Sequence, residues 1–399
     1  MENPFLVLSL YTMNKIRNVY IIGSNRLVLG FVNSAVQTYL AIFLSEIGVS
    51  SVRIGLAFSA GAIFTGIARI LGGYIADVHG RKLIVVILTY ALALVTLVPY
   101  FYPTYEGILI RLILSSLVGF YQPSLFALLQ DSLPEKGRGK AYGYFNAVTM
   151  RGRLFGPLFA AIVVERYGIL QGVRLLFLIN ALTVFGIAIS RHFLIETLTN
   201  GRKQSFTRSY LEALKFVTSR VPVLVILSLL SALALGITNT VMPLYVVYVK
   251  GIPKEQRGIV SRLSGLAGLS SILRGKLVDK SRTKRFSIGS LIVTLGLFLI
   301  LVAPPYRGTL TFVRIVIARF ISGIGNSAVS LSLNVIIIDL VPLELRGRFN
   351  AISGFLNGLF NGLGNSLGGR ELEVRSHLPI ITIIITYATF PPLIKKIRF

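Results

Sequence analysis

Cysteine is absent, and histidine occurs only at positions 79, 192 and 377. A disulfide framework is therefore excluded, and a thiolate or multi-histidine metal site has no ligands at workable spacing. Acidic residues are scarce as well: 15 Asp and Glu stand against 41 Lys and Arg, for a formal net charge of +26. Charged residues make up 14% of the 399 and hydrophobic ones 54%, whereas a soluble domain carries roughly 25% charged residues. A chain of this composition does not dissolve as a globular protein. Its charge alone would suit a nucleic-acid binder, but its apolar content points to a bilayer, so no nucleic-acid partner is expected. Also missing are a G-x-x-x-x-G-K-S/T phosphate loop, an H-E-x-x-H pair and a histidine-centred nucleophile set. No enzyme activity, cofactor or metal is expected on that basis.

What the chain has is long apolar runs. A helix needs about 20 apolar residues to cross the hydrocarbon core. Stretches free of Asp, Glu, Lys and Arg cover 27–45, 83–105, 112–130, 221–249, 286–306, 320–338, 349–369 and 376–394. Four more spans with internal arginines lie near 53–76, 141–164, 172–190 and 257–277. Twelve spans follow, with no room for a sizeable soluble domain. The start, Met1 to Asn14, is apolar without a basic lead or small-residue cleavage site, so no signal peptide is expected.

If the first span runs outward, most basic residues fall on inner connections: Arg81 and Lys82, Lys136 and Lys140, Arg191, Arg202 and Lys203, Lys280 to Arg285, Arg348, and Lys395 to Arg398. Far fewer fall outside, among them Arg53, Arg166, Lys250, Lys254 and Arg375. The positive-inside rule then places both termini in the cytoplasm of a cell-membrane protein. The longest inner connection splits the chain into 1–192, a linker over 193–219 and 220–399, with the linker's basic residues facing anionic headgroups.

The two halves repeat. Asp131-Ser-Leu-Pro134-Glu-Lys-Gly-Arg138-Gly139 and Asp339-Leu-Val-Pro342-Leu-Glu-Leu-Arg346-Gly347 both read D-x-x-P-x-x-x-R-G. Arg111 and Arg319 each precede their aspartate by 20 residues, about 30 Å of helix, so each arginine belongs near the outer interface and each aspartate near the inner one. A second pair, Gly73-Tyr-Ile-Ala-Asp77 and Gly275-Lys-Leu-Val-Asp279, precedes a basic run in each half. Two signatures in the same order imply two related six-helix bundles, a common architecture of secondary transporters.

Gly73-Tyr-Ile-Ala-Asp77-Val-His-Gly80-Arg81-Lys82 resembles the G-x-x-x-D-x-x-G-R-K loop of the major facilitator superfamily. It departs from that pattern at Val78, and the second copy carries Arg282 where Gly80 stands. The resemblance implies an all-α fold of two pseudo-symmetric six-helix bundles working by alternating access. It also implies a latch in which Asp77 meets the start of helix eleven and Arg81 bridges Asp77 and Asp131, holding an outward-open state. Gly80, Lys82, Arg138, Asp279, Asp339 and Arg346 complete that latch. Independently of any family, an aspartate at a helix end can accept from the free N–H groups of a neighbouring helix start.

Gly152-x-x-x-Gly156-Pro157-x-x-Ala160-Ala161 resembles the G-x-x-x-G-P-x-x-G-G signature of antiporter branches, with alanines for the last glycines. Small residues four apart allow close helix packing, and the proline removes a backbone donor. Within the same span, Arg151 stands near the bilayer midplane, where a charge costs about 2.5–3.5 kcal/mol. Residues two apart point about 200° away from each other. Arg153, aligned with Asn146, is therefore assigned to a wet cavity, and Arg151 to a polar partner between helices; both remain candidates for substrate or for packing. The family's pathway helices one, four, seven and ten offer Asn33, Gln37, Gln122, Asn239 and Asn326. Asn357, Asn361 and Asn365 share one face of helix eleven, a spacing suited to interhelical hydrogen bonding.

All fifteen carboxylates fall in predicted loops or helix ends. A coupling proton would have to use interface groups such as Asp77 or Asp131, or the substrate itself. The expected cargo is a small neutral or anionic solute, with a lipophile or multidrug efflux antiporter as the alternative and a degenerate membrane scaffold as the non-transport reading.

Overall fold

The computed structural model describes the backbone except at 1–3, 79, 134–137, 198–221, 262–265, 267–281, 307, 342–345 and 396–399, and side chains except also at 4–15, 73–78, 138–147, 282, 338–339 and 346–348. Among the described residues, all regular structure is helical. Helix α1 is Pro4–Glu46, α2 Ser51–Val78 and α3 Arg81–Phe101; α4 comes in two pieces, Tyr105–Leu114 and Leu117–Ser132. The run Arg138–Arg191 is broken at Gly168 (φ 72°), giving α5 over 138–167 and α6 over 169–191. Helix α7 is Pro222–Leu244 with a π turn at Tyr245–Val249. The described part of α8 is 257–261 and Leu266. Then come α9 (Arg282–Val302), α10 (Thr309–Leu340), α11 (Arg346–Val374) and α12 (Leu378–Ala388 with Phe390–Ile394). Eight described stretches are long and apolar enough to cross a membrane. This is the all-helical, multi-pass architecture that the hydropathy predicts.

The helices outrun the charge-free stretches that announced them. Helix α1 passes straight through Lys15, Arg17 and Arg26, because a helix end reaches the headgroup zone, where a basic side chain can snorkel. Polar residues hold that end down: Asn18 Nδ2 donates to Ser132 Oγ (3.0 Å) and to the Ile195 carbonyl (3.0 Å), and its Oδ1 accepts from the Ile195 N–H (2.8 Å). Arg191, counted from sequence among the inner-side basic residues, is 1% exposed. It donates to the Thr89 hydroxyl and lies over the Tyr121 ring, 4.8 Å from its centroid. Those partners replace part of the hydration that burial removes.

Glycine sets the helix–helix distances. A β-carbon on Gly152 would fall 2.1 Å from the Leu27 carbonyl oxygen of α1, and one on Gly156 2.0 Å from Ser34 Oγ. Between the halves, Gly66 of α2 faces Phe355 and Gly358 of α11, and Gly258 of α8 faces Pro157 and Ala161 of α5. Backbones approach this closely only without side chains between them, the packing mode of membrane helices.

Candidate functional site

Two helices, α3 and α4, carry the described side chains of the predicted latch. Gly80 takes φ 85° immediately before α3, a left-handed conformation that favours glycine. The turn presents the first N–H groups of α3 to a carboxylate, that of Glu196: its Oε2 accepts from the backbone N–H of both Arg81 and Lys82 at 2.8 Å. An anion is stabilised at a helix N-terminus by free donors and dipole together. The Arg81 guanidinium forms an ion pair with Asp131 of α4 and donates to the Thr197 hydroxyl at 3.2 Å. Sequence reasoning did not find Glu196, because it lies 115 residues beyond the helix it caps and no local pattern links the two. The side chains of Gly73, Asp77, Arg138, Asn146, Asp339 and Arg346, and the whole of Asp279, lie outside the described residues.

The resemblance implies an outward-open state. At the predicted outer end the halves are tied together. Lys254 pairs with Glu46 at 2.7 Å, and the Tyr248 hydroxyl donates to the same carboxylate. The Tyr39 hydroxyl donates to the Glu255 carbonyl (3.1 Å) and accepts from the Gly258 N–H (3.2 Å), while the Val52 N–H donates to Glu373 (2.9 Å). The Arg81–Asp131 pair lies within the first half, so this closure does not break it.

Helix α5 presents three faces. Gly152 and Gly156 meet α1, and Ala161 meets α8. Arg151 is exposed on the same side as exposed Phe155 and Ile162, not packed between helices as expected, because the helix spacing there is taken up by the glycine face. Arg153 lies between the two contact faces; it is exposed, with its Cγ 3.6 Å from where a Gly30 β-carbon would sit. Asn33 and Gln37, one and two turns beyond Gly30 on α1, are also exposed. The structure thus brings Arg153, Asn33 and Gln37 into one neighbourhood, with Asn180 donating to Asn33 Oδ1 at 3.3 Å. Gln122 is half-buried, and Asn239 and Asn326 are exposed on α7 and α10, Asn326 accepting from the Tyr387 hydroxyl at 3.0 Å.

The asparagines of α11 bond to α7. Ser228 donates to Asn357 (3.0 Å), Asn361 to the Ala232 carbonyl (3.2 Å) and Thr240 to Asn365 (3.0 Å), while Asn365 donates to Asn361 (3.1 Å). Arg69 of α2 lies against Gly354 of α11. Near the predicted outer surface, Glu371 accepts from the Thr382 hydroxyl (2.8 Å), and burial raises its pKa above the usual carboxylate range although that bond opposes the shift.

Paired helical halves, glycine-lined seams between them and polar groups set into membrane-spanning helices define a membrane carrier. The model of the Major Facilitator Superfamily matches residues 23–369, and the chain belongs to that family. The multidrug resistance protein MdtG of Proteus mirabilis (strain HI4320) is 26% identical over 345 residues, covering 83% of each chain. The multi-drug resistance efflux pump PmrA homolog of Lactococcus lactis is 26% identical over 348 residues, 84% of this chain and 82% of its own. Among solved structures, the nucleoside transporter NupG superposes with a TM-score of 0.71 at 16% identity, covering 95% of this chain and 96% of that one. The protein is a multi-pass membrane transporter with a small-molecule substrate.

Proposed function

We propose that the chain moves a small neutral or anionic organic solute by alternating access between two six-helix bundles, 1–192 and 220–399, joined by the linker 193–219. The observation that carries this reading is the set of ties between the halves at one end, made by Tyr39, Glu46, Val52, Tyr248 and Lys254. Such a seal has to open for solute to pass. Arg153, Asn33, Gln37, Gln122 and Asn326 are the residues assigned to solute, and Asp77, Arg81, Asp131, Arg138, Asp279, Asp339 and Arg346 to the latch. Transport, not catalysis, is the activity assigned. The sealed end is the outer one and both termini are cytoplasmic in the cell membrane, supported by the basic inner connections, which face anionic lipid.

A second reading, export of lipophilic compounds, is favoured by the names of the MdtG and PmrA relatives and by the α5 motif. Both readings are tested by one measurement in proteoliposomes, the flux of neutral, anionic and cationic solutes with and without a proton gradient. Flux confined to lipophilic cations and abolished without the gradient would select the second reading. Absence of flux for every class would sink both.

A further inference from the structure

Where α3 begins and α6 ends, an open cleft of about 210 Å³ is lined by Lys82, Leu83, Val86, His192 and Glu196. Lys82, Val86 and Tyr90 follow one another at four-residue spacing, which puts them along one side of α3. Tyr90 closes the deep end: its hydroxyl meets His192 Nε2 at 3.0 Å, and its ring packs edge-on against Phe185 of α6, 5.5 Å between centroids. The flanks are apolar and exposed, formed by Leu83 and Ile87 of α3 and by Ile189 and Phe193 at the end of α6. Exposed apolar side chains on membrane-spanning helices meet acyl chains, so the cleft borders lipid along its sides and the headgroup zone at its mouth.

The polar groups of the cleft differ in what they still have to offer. Glu196 is committed: its Oε2 accepts from the N–H groups of Arg81 and Lys82, and its Oε1 from that of Thr197. The Lys82 ammonium is not, since the ion pairs and side-chain hydrogen bonds among the described residues leave it unengaged. Tyr90 takes up one ring nitrogen of His192 and leaves Nδ1; with the Tyr90 hydroxyl donating, Nδ1 carries the hydrogen and can donate in turn. Two donors, one of them cationic, therefore stand at the mouth of an apolar groove, beside a carboxylate whose oxygens are already taken up.

We propose that this cleft binds an anionic phospholipid of the surrounding bilayer, with the phosphodiester on Lys82 and His192 and the start of an acyl chain along Val86 and Tyr90. A hydrogen bond from an ammonium to a phosphate is charge-assisted, and methylenes laid along the groove add apolar burial. A net negative headgroup is favoured over a zwitterionic one, because the ammonium of the latter needs an acceptor and the carboxylate in the cleft is held by three backbone N–H groups. The general attraction of a basic surface for anionic lipid thus gains a fixed position between α3 and α6, whichever solute the chain carries.

Tryptophan is absent from the chain, so Phe193→Trp places a single indole beside the cleft in an otherwise silent background. The purified full chain carrying it is reconstituted into phosphatidylcholine vesicles containing a rising fraction of dibrominated phosphatidylglycerol or, at the same fractions, dibrominated phosphatidylcholine. Bromine quenches the indole at short range and is present in both leaflets, so the readout needs neither transport nor a known orientation. Phosphatidylglycerol is expected to bind about fivefold more tightly than phosphatidylcholine, the ratio that one lysine near an anionic headgroup supplies. Lys82→Gln brings the ratio close to one, Lys82→Arg retains it and His192→Leu lowers it. Lys284→Gln, which removes the same charge from a residue that does not line the cleft, leaves it unchanged. Quenching by brominated phosphatidylcholine in every variant shows that each has inserted. Equal binding of the two lipids, or a preference that survives Lys82→Gln, overturns the proposal. An equal loss of preference in Lys284→Gln would show a diffuse field in place of a site. Equally tight binding of brominated phosphatidylethanolamine overturns the anionic assignment, and displacement of the lipid by millimolar inorganic phosphate overturns the assignment to lipid.

Discussion

Single residues decide how closely the helices meet, and glycine is the clearest case. Added β-carbons at Gly152 and Gly156 would lie about 2 Å from atoms of α1, whereas one at Gly186 of α6 meets nothing within 4 Å. Gly152→Ala is expected to cost about 1–3 kcal/mol through forced separation of α5 from α1. Gly186→Ala should be neutral or stabilising by up to about 1 kcal/mol, since it only improves helix propensity. Thermal unfolding of the two variants checks this, and similar losses in both would refute the packing argument. Glu371 offers a pH test at the same scale. Its raised pKa means the folded state holds the proton more tightly than the unfolded chain, so its stabilising contribution is present below the ordinary carboxylate pKa and lost as pH rises through the folded value. Glu371→Gln should therefore gain stability over wild type at neutral pH, and the gain should vanish in acid. A pH-independent difference would show that lost packing, not ionisation, is what the substitution changes.

At the scale of elements, helices were legible and their partners were not. Apolar length announced the spans, and glycine spacing announced α5 as a packing helix, because both depend on residues close in sequence. The seal between Tyr39 and residues 255–258, the Glu196 cap on α3 and the burial of Arg191 join segments that no local pattern connects. Arg151 shows the limit of spacing arguments: a helical wheel separates it from Arg153 but does not say which of the two directions is lipid. The cap also makes a prediction. Glu196→Ala removes the acceptor of two N–H groups at the start of α3, and loss of such a cap costs about 0.5–2 kcal/mol. Glu196→Gln, which keeps one acceptor oxygen but not the charge, should lose less. Hydrogen exchange at the first turn of α3 reports this locally, and unchanged protection in Glu196→Ala would mean the carboxylate is not holding that turn.

For the whole molecule, the natural lack of cysteine turns the sealed end into something directly measurable. Single cysteines can be introduced with no native thiol to remove. Asn334, exposed on the inner half of α10, lies on the inner side of the predicted barrier, and Thr38, buried beside Tyr39 on α1, lies within it. In right-side-out vesicles without solute, Asn334→Cys should resist a membrane-impermeant maleimide added outside and react with one loaded inside, while Thr38→Cys should resist both. A cross-linker joining Val52→Cys to Glu373→Cys, the positions whose backbone and carboxylate meet at 2.9 Å, should stop flux, and cleaving the linker should restore it. The excess of basic residues enters the same experiment, since it orients the bundle: reversing the bias by substituting acidic residues at Arg81, Lys82, Lys284 and Arg285 should increase the share of chains labelled at Asn334→Cys from outside. Outside labelling of Asn334→Cys in the unmodified background, with solute absent, would mean that the sealed end is not the outer one. The assignment of sides would then have to be inverted while the seal itself stood.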